Sequence, residues 1–255
     1  MGLLYRFRRC RDQSITNVIN LTIEGSKYTE MADEKEVSLF VDSELIKNKT
    51  KFPEGHIGRI QEIIRKHILN SYFIACFSKT DQTSNISMWK EYADYDGFCL
   101  VYREEQIRKA IKYAMWKLRN IYLMLRDVDY GTEPTDITSF VFDYLQLIGN
   151  DFENEKTHKY ASKYVDNKLL TSGRNLIKSM FHKIGTFPED DEMRIVLLGK
   201  ENNQKYNNNM VSVAIKPFKI ICSSLMPDEK RKRLERFAKK NNITFLIKEI
   251  KRQSN

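Results

Sequence analysis

The chain has 255 residues, 41% of them hydrophobic, so it can bury a full core, and its length requires no more than one domain, residues 1–255. Its 43 Lys and Arg against 34 Asp and Glu give a formal charge of +9 and a pI near 9.2. That balance favours an anionic partner such as RNA, DNA, a nucleotide or a phosphate-bearing small molecule. The mixing of both signs along the chain is commoner on a solvated enzyme surface than on a dedicated nucleic-acid reader. The four cysteines, Cys10, Cys76, Cys99 and Cys222, form no C-x-x-C pair and read as reduced, buried thiols. The four histidines, His56, His67, His158 and His182, show no metal-ligand spacing, so a structural zinc is not expected. Neither a signal-length apolar stretch nor a run of about twenty apolar residues occurs, which predicts a cytoplasmic protein with no membrane partner. No glycine motif of the phosphate-cradling kind is present.

In chain order, Leu3 to Arg8 alternates and reads as an opening strand, with Tyr5 and Phe7 on one face and Arg6 and Arg8 on the other. Ile15, Val18 and Ile19 suggest a short helix capped by Ser14, followed by a mobile segment after Gly25. Val37 to Val41 is a candidate strand. Ile57, Ile60, Ile64 and Ile68 recur at helical spacing between His56 and Leu69, where a helix should pack on the sheet.

Two apolar runs, Tyr72 to Phe77 and Gly97 to Tyr102, then read as buried strands. Between them Asp81 to Ser87 has turn chemistry and Met88 to Ala93 reads as one helical episode. Trp89 and Tyr92, three residues apart, would share a helix face near Ser78 and wall a pocket for a flat ring. The same aromatics also serve as core plugs, and both readings stand.

Arg103 to Leu118 is a further amphipathic helix, and Asn120 to Tyr130 reads as a strand ending at Gly131. Thr135 to Leu147 resumes helix. The Lys-rich span from Asp151 to Ile184 reads as helical, broken near Ser172-Gly173. The acidic knot Glu189 to Glu192 leads into the strand Met193 to Leu198. Short strands at Val211 to Ile215 and Phe218 to Ile221 follow, then a helix over Asp228 to Lys240 and a strand at Ile243 to Ile247. Strands and helices mix without a βαβ cadence, so the predicted class is α+β, a central mixed or antiparallel sheet with helices packed around it.

The pieces LYRFR at 3 to 7, ACFSK at 75 to 79, MWKEYADYDGFCLVY at 88 to 102, VDYGTEP at 128 to 134, FHKIGTFPEDDEMRIVLL at 181 to 198 and FKIICSSLMPDEKRKRLERFAKK at 218 to 240 occur in order. On these the chain resembles the uncharacterised bacterial family named domain of unknown function 2971. It departs from that family between Thr22 and Val41, where the usual Asn-Asp-Pro-Phe-acidic segment is missing.

A second likeness is to the ADP-ribosyltransferase layout: a basic early strand, a middle strand, turn and aromatic helix, and a late strand entered through a glutamate. This resemblance implies an ADP-ribosyltransferase-like sheet and an enzyme that splits NAD, as co-substrate, and transfers ADP-ribose. It implies Tyr5, Arg6 and Arg8 with Ser78 and Trp89 as NAD-binding residues, and Tyr92 and Glu192 as catalytic ones. Asp190-x-Glu192 matches that superfamily's acidic-x-Glu pattern. A fixed carboxylate would stabilise oxocarbenium character at the ribose, and an aromatic pair would stack the pyridinium for ~0.5–2 kcal/mol.

The reading extends to a toxin or anti-phage defence effector with a nucleic-acid or protein acceptor and a neutralising partner protein. Structural alternatives stand beside it. Arg6 and Arg8 can pair with Asp190, Asp191 or Glu192, and Arg194, two residues from Glu192 on a strand, can satisfy that glutamate. The alternative function is a nucleic-acid-binding or protein-interaction module without catalysis, drawn from the net charge and the basic helix at 230 to 240.

Overall fold

The computed structural model describes residues 2–23, 25–27, 38–50, 52, 54–117, 121–148, 174–185, 191–199 and 213–252. The elements in chain order are β1 (Leu3–Arg8), α1 (Asp12–Ile19), β2 (Thr22–Ile23), β3 (Ser26–Lys27), β4 (Leu39–Phe40), α2 (Ser43–Lys49), α3 (Glu54–Ser71) and β5 (Tyr72–Ser78). Then come α4 (Ile86–Ala93), β6 (Phe98–Arg103), α5 (Glu104–Lys117), β7 (Ile121–Asp127), β8 (Asp129–Gly131), β9 (Thr135–Asp136) and α6 (Thr138–Ile148). The last are α7 (Arg174–Met180), β10 (His182–Ile184), β11 (Glu192–Gly199), β12 (Val213–Ala214), β13 (Lys219–Ser223), α8 (Asp228–Lys240) and β14 (Thr244–Lys248).

The architecture is α+β around a mixed sheet with strand order β14-β13-β6-β1-β5-β11-β7. The β13–β14 pair is parallel and the other pairs along that path are antiparallel. The sheet is split beside β5. β1 meets it only at Tyr5↔Ser78, and the short β3 takes the same edge further back at Ser26↔Ile74 and Lys27↔Phe73.

Period-two alternation divides the sheet into two buried faces, which is why its strands read as continuous apolar runs. Leu4, Ala75, Phe77, Phe98, Leu100, Tyr102, Met193 and Ile195 face one core with Ile15 and Val18 of α1, Ile107 and Ile111 of α5, and Leu234 and Ala238 of α8. The opposite face carries two clusters. Tyr72, Ile74 and Val196 pack under α2, α3 and α6, while Tyr5, Phe7, Cys99 and Val101 pack under Trp89 and Ala93 of α4. Ile57, Ile60, Ile64 and Ile68 of α3 are all but fully buried in the first of these, each worth about 1.5–3 kcal/mol of burial.

Several boundaries differ from the sequence reading. α1 starts at Asp12 with Arg11 as N-cap, so Ser14 lies inside the helix and is buried, not capping. The run expected as one strand to Gly131 divides into β7 and β8, because β8 leaves the main sheet to pair in parallel with β10. His182 to Ile184, expected as the end of a helix, is therefore strand. The expected break at Ser172-Gly173, the segment after Lys27 and the residues Glu189 and Asp190 lie outside the described residues.

Candidate functional site

The three elements singled out by sequence are neighbours in the sheet. Tyr5 of β1 pairs with Ser78 of β5, and Ser78 pairs with Glu192 of β11. Directly paired residues point to the same face, so Tyr5, Ser78 and Glu192 form one cross-strand row. α4 lies on that face beside β1, with the Trp89 ring edge-on to Phe7 at 5.2 Å and 89°. Asn85 caps α4 by accepting from the Ser87 N–H at 3.0 Å, which fixes where the helix starts.

Each member of the row already has a polar partner. The Tyr5 hydroxyl is raised above its ordinary pKa, first by burial and then by Asp81, to which it hydrogen-bonds. The Ser78 hydroxyl donates to the Thr80 carbonyl at 2.9 Å and accepts from the Thr80 N–H at 3.2 Å, a local turn that closes the end of β5. Glu192 is held by Arg194 through two bonds, Nε to Oε1 at 2.7 Å and Nη2 to Oε2 at 3.2 Å. Arg194 is fully buried and its Nη1 reaches the Met180 carbonyl at 3.5 Å. Burial pushes the Glu192 carboxyl up, but the charge and hydrogen bonds of Arg194, the Cys76 thiol and the charge of Lys183 outweigh it. The carboxyl is held below the usual carboxylate range.

A second ion cluster closes the entrance to β11. Lys79 bridges Asp127 at 2.9 Å and Asp191 at 2.8 Å, and its N–H donates to the Asp191 carbonyl at 2.9 Å. Asp191 takes a left-handed φ of 30°, which an aspartate tolerates better than most residues. Both partners raise the Lys79 pKa, so this bend carries charge on both sides of the strand pair.

The expected single grouping of site residues is not formed. Arg6 and Arg8 lie on the face opposite Glu192, and the Arg6 guanidinium sits 5.6 Å from the centre of the Phe77 ring. Alternation on β1 makes this unavoidable once Tyr5 joins the Ser78 row. Trp89 is fully buried and donates its indole N–H to the Thr83 carbonyl at 2.8 Å, which makes it a core residue. Tyr92 is 47% exposed on the flank of α4, so the two aromatics do not stack on one surface. The buried stripe of α4 is Trp89 and Ala93, four apart, and leaves Tyr92 outside it.

The sequence pattern assigns no site role to Cys76, Asp81 or Lys183, all of which act on the row. Cys76 was legible, because it stands two residues before Ser78 on a strand and pairs across to Arg194. Asp81 and Lys183 come from a turn and from β10, whose approach no local pattern announces. Nearby, His182 of β10 sets its Nε2 2.8 Å from the Glu133 carbonyl and its Nδ1 3.8 Å from Asp129. This joins the VDYG and FHK segments. Among the described residues no group of three or more His, Cys, Asp or Glu could hold a metal ion, and no helix is long and apolar enough to cross a membrane.

The fold and site define an α+β protein with a largely buried, ion-paired glutamate at the start of an interior strand. Residues 88–195 match the model of the family described as "Protein of unknown function (DUF2971)". The matched segment runs from α4 into β11, so it contains Tyr92, Glu192 and Arg194 but not Tyr5 or Ser78. Comparison with curated proteins and with solved structures finds no match.

Proposed function

We propose that this chain is an NAD-consuming ADP-ribosyltransferase or NAD glycohydrolase whose reaction takes place over the Tyr5, Ser78 and Glu192 row. The observation that carries the reading is that row: first strand, middle strand and glutamate strand are adjacent, and one residue of each faces the same way. That is the arrangement implied by the ADP-ribosyltransferase likeness, with Tyr5 taking the first-strand place instead of Arg6 or Arg8.

The chemistry follows from the carboxylate. As the bond from the anomeric carbon to nicotinamide breaks, its electron pair goes to the pyridinium nitrogen and neutral nicotinamide leaves. The ribose gains oxocarbenium character until water or an acceptor hydroxyl adds and loses its proton. Glu192 must be ionised to stabilise that charge, and Arg194 keeps it so. A carboxylate has about four lone-pair sites; the bidentate pair and the Cys76 thiol take about three, which leaves about one to accept from a ribose hydroxyl. Tyr92, exposed on α4, is the aromatic available to a nicotinamide ring, whereas Trp89 supports the helix from beneath.

The test is nicotinamide release from NAD by the purified protein, with Glu192→Gln beside it and circular dichroism confirming that both are folded. Release should fall by at least about a hundredfold in the variant while NAD binding persists. Equal release from the two proteins, or none from the parent with water, RNA, DNA or cell extract as acceptor, would refute the reading.

A further inference from the structure

Helix α5 turns outward a stripe that neither core packing nor the proposed chemistry uses. Its inner side is fixed by the buried Ile107 and Ile111. On its outer side Trp116 is 77% exposed and Tyr113 60% exposed, with ring centres 6.0 Å apart and planes inclined at 37°. At 3.6 residues per turn, Lys109, Lys112, Tyr113 and Trp116 fall within an arc of about 100°. Lys117 extends the exposed charge at the helix end. Lys109 is paired to Glu105 and Arg108 to Glu104, but among the described residues Lys112 and Lys117 make no ion pair.

We propose that this face of α5 docks single-stranded nucleic acid, with bases stacking on Trp116 and Tyr113 and phosphates meeting Lys112 and Lys117. Two features favour this occupant over an apolar protein partner. Lysine is depleted from the cores of protein interfaces, yet here it alternates with the rings. A polyanion with exposed ring faces complements both at once, as a duplex with stacked bases does not. The net charge of +9 draws such a strand in. The exposed Lys232, Arg233, Arg236, Lys239 and Lys240 of α8 attract phosphate too, but no exposed aromatic stands among them. The proposal is independent of NAD chemistry.

The two tryptophans provide the readout, because Trp89 is fully buried and the iodide-quenchable emission therefore belongs to Trp116. Oligothymidylate and oligouridylate are titrated against the full chain, following that emission and the anisotropy of a labelled strand. Binding should quench Trp116. Trp116→Ala with Tyr113→Ala, which removes two stacking rings, should weaken binding at least about 30-fold. Lys112→Glu with Lys117→Glu should flatten the slope of log affinity against log salt by about 1.4. These are exposed positions, and circular dichroism checks that the variants remain folded. Three results would each overturn the proposal: no binding by the parent at low salt; binding that survives the aromatic double variant but is lost with Lys232→Glu and Arg236→Glu on α8; or a self-association that Trp116→Ala abolishes without strand binding, which would make the face a contact between copies.

Discussion

Replacing Arg194 by Met keeps most of the buried stem and removes the guanidinium, so it isolates what the Glu192–Arg194 pair contributes. Arg194 is fully buried and the Glu192 side chain is only 11% exposed, so the carboxylate left behind has little water to turn to. Breaking a buried pair from one side costs about 3–5 kcal/mol. In a chain of this size that corresponds to a fall in Tm of about 6–20 °C.

The pH dependence has opposite signs in the two proteins. In the parent the Glu192 pKa is depressed, so its contribution is complete above the unfolded carboxyl value of about 4.3 and is lost as pH falls through the lower folded value. In the variant burial prevails and the folded pKa rises above about 4.3, so stability increases as pH is lowered towards that value. Urea unfolding followed by far-UV circular dichroism at about pH 7 and about pH 5 should show the penalty shrinking in acid. Pairing Arg194→Met with Glu192→Leu should recover most of the loss, since an apolar pair carries no stranded charge. A penalty below about 1 kcal/mol, or one that is the same at both pH values, would refute the reasoning.

Trp89→Ala should cost about 3–5 kcal/mol in the same assay, and Tyr92→Ala no more than about 1 kcal/mol while reducing NAD turnover; the reverse order would contradict the burial assigned to α4. In a native thiol titration Cys10 and Cys76, which are partly exposed, should react before Cys99 and Cys222. Burial pushes the Cys222 thiol up to about 12 and raises Cys99 as well, so prompt labelling of either in the folded protein would be inconsistent with the structure. Gly131→Ala would place a Cβ 2.6 Å from Cε1 of His182, a ring anchored to the Glu133 carbonyl, and should destabilise by about 1–3 kcal/mol; an unchanged Tm would show that the ring is free to move.

The sequence by itself determined much of the local structure. The isoleucine spacing of α3, the alternation of β1 and the Leu234 and Ala238 spacing of α8 each announce their element, because a period of 3.6 or 2 is a one-dimensional signal. The same alternation already separated Tyr5 from Arg6 and foretold that Arg194 would face the way of Glu192. What only the tertiary structure decided was register and pairing. Tyr5 stands beside Ser78 and Ser78 beside Glu192 because three strands far apart in the chain meet in one alignment, and a slip of one residue would have put Arg6 in that row. The departure of β8 to pair with β10, and the choice of Trp89 for the core with Tyr92 left outside, were likewise settled by long-range packing that no local pattern encodes.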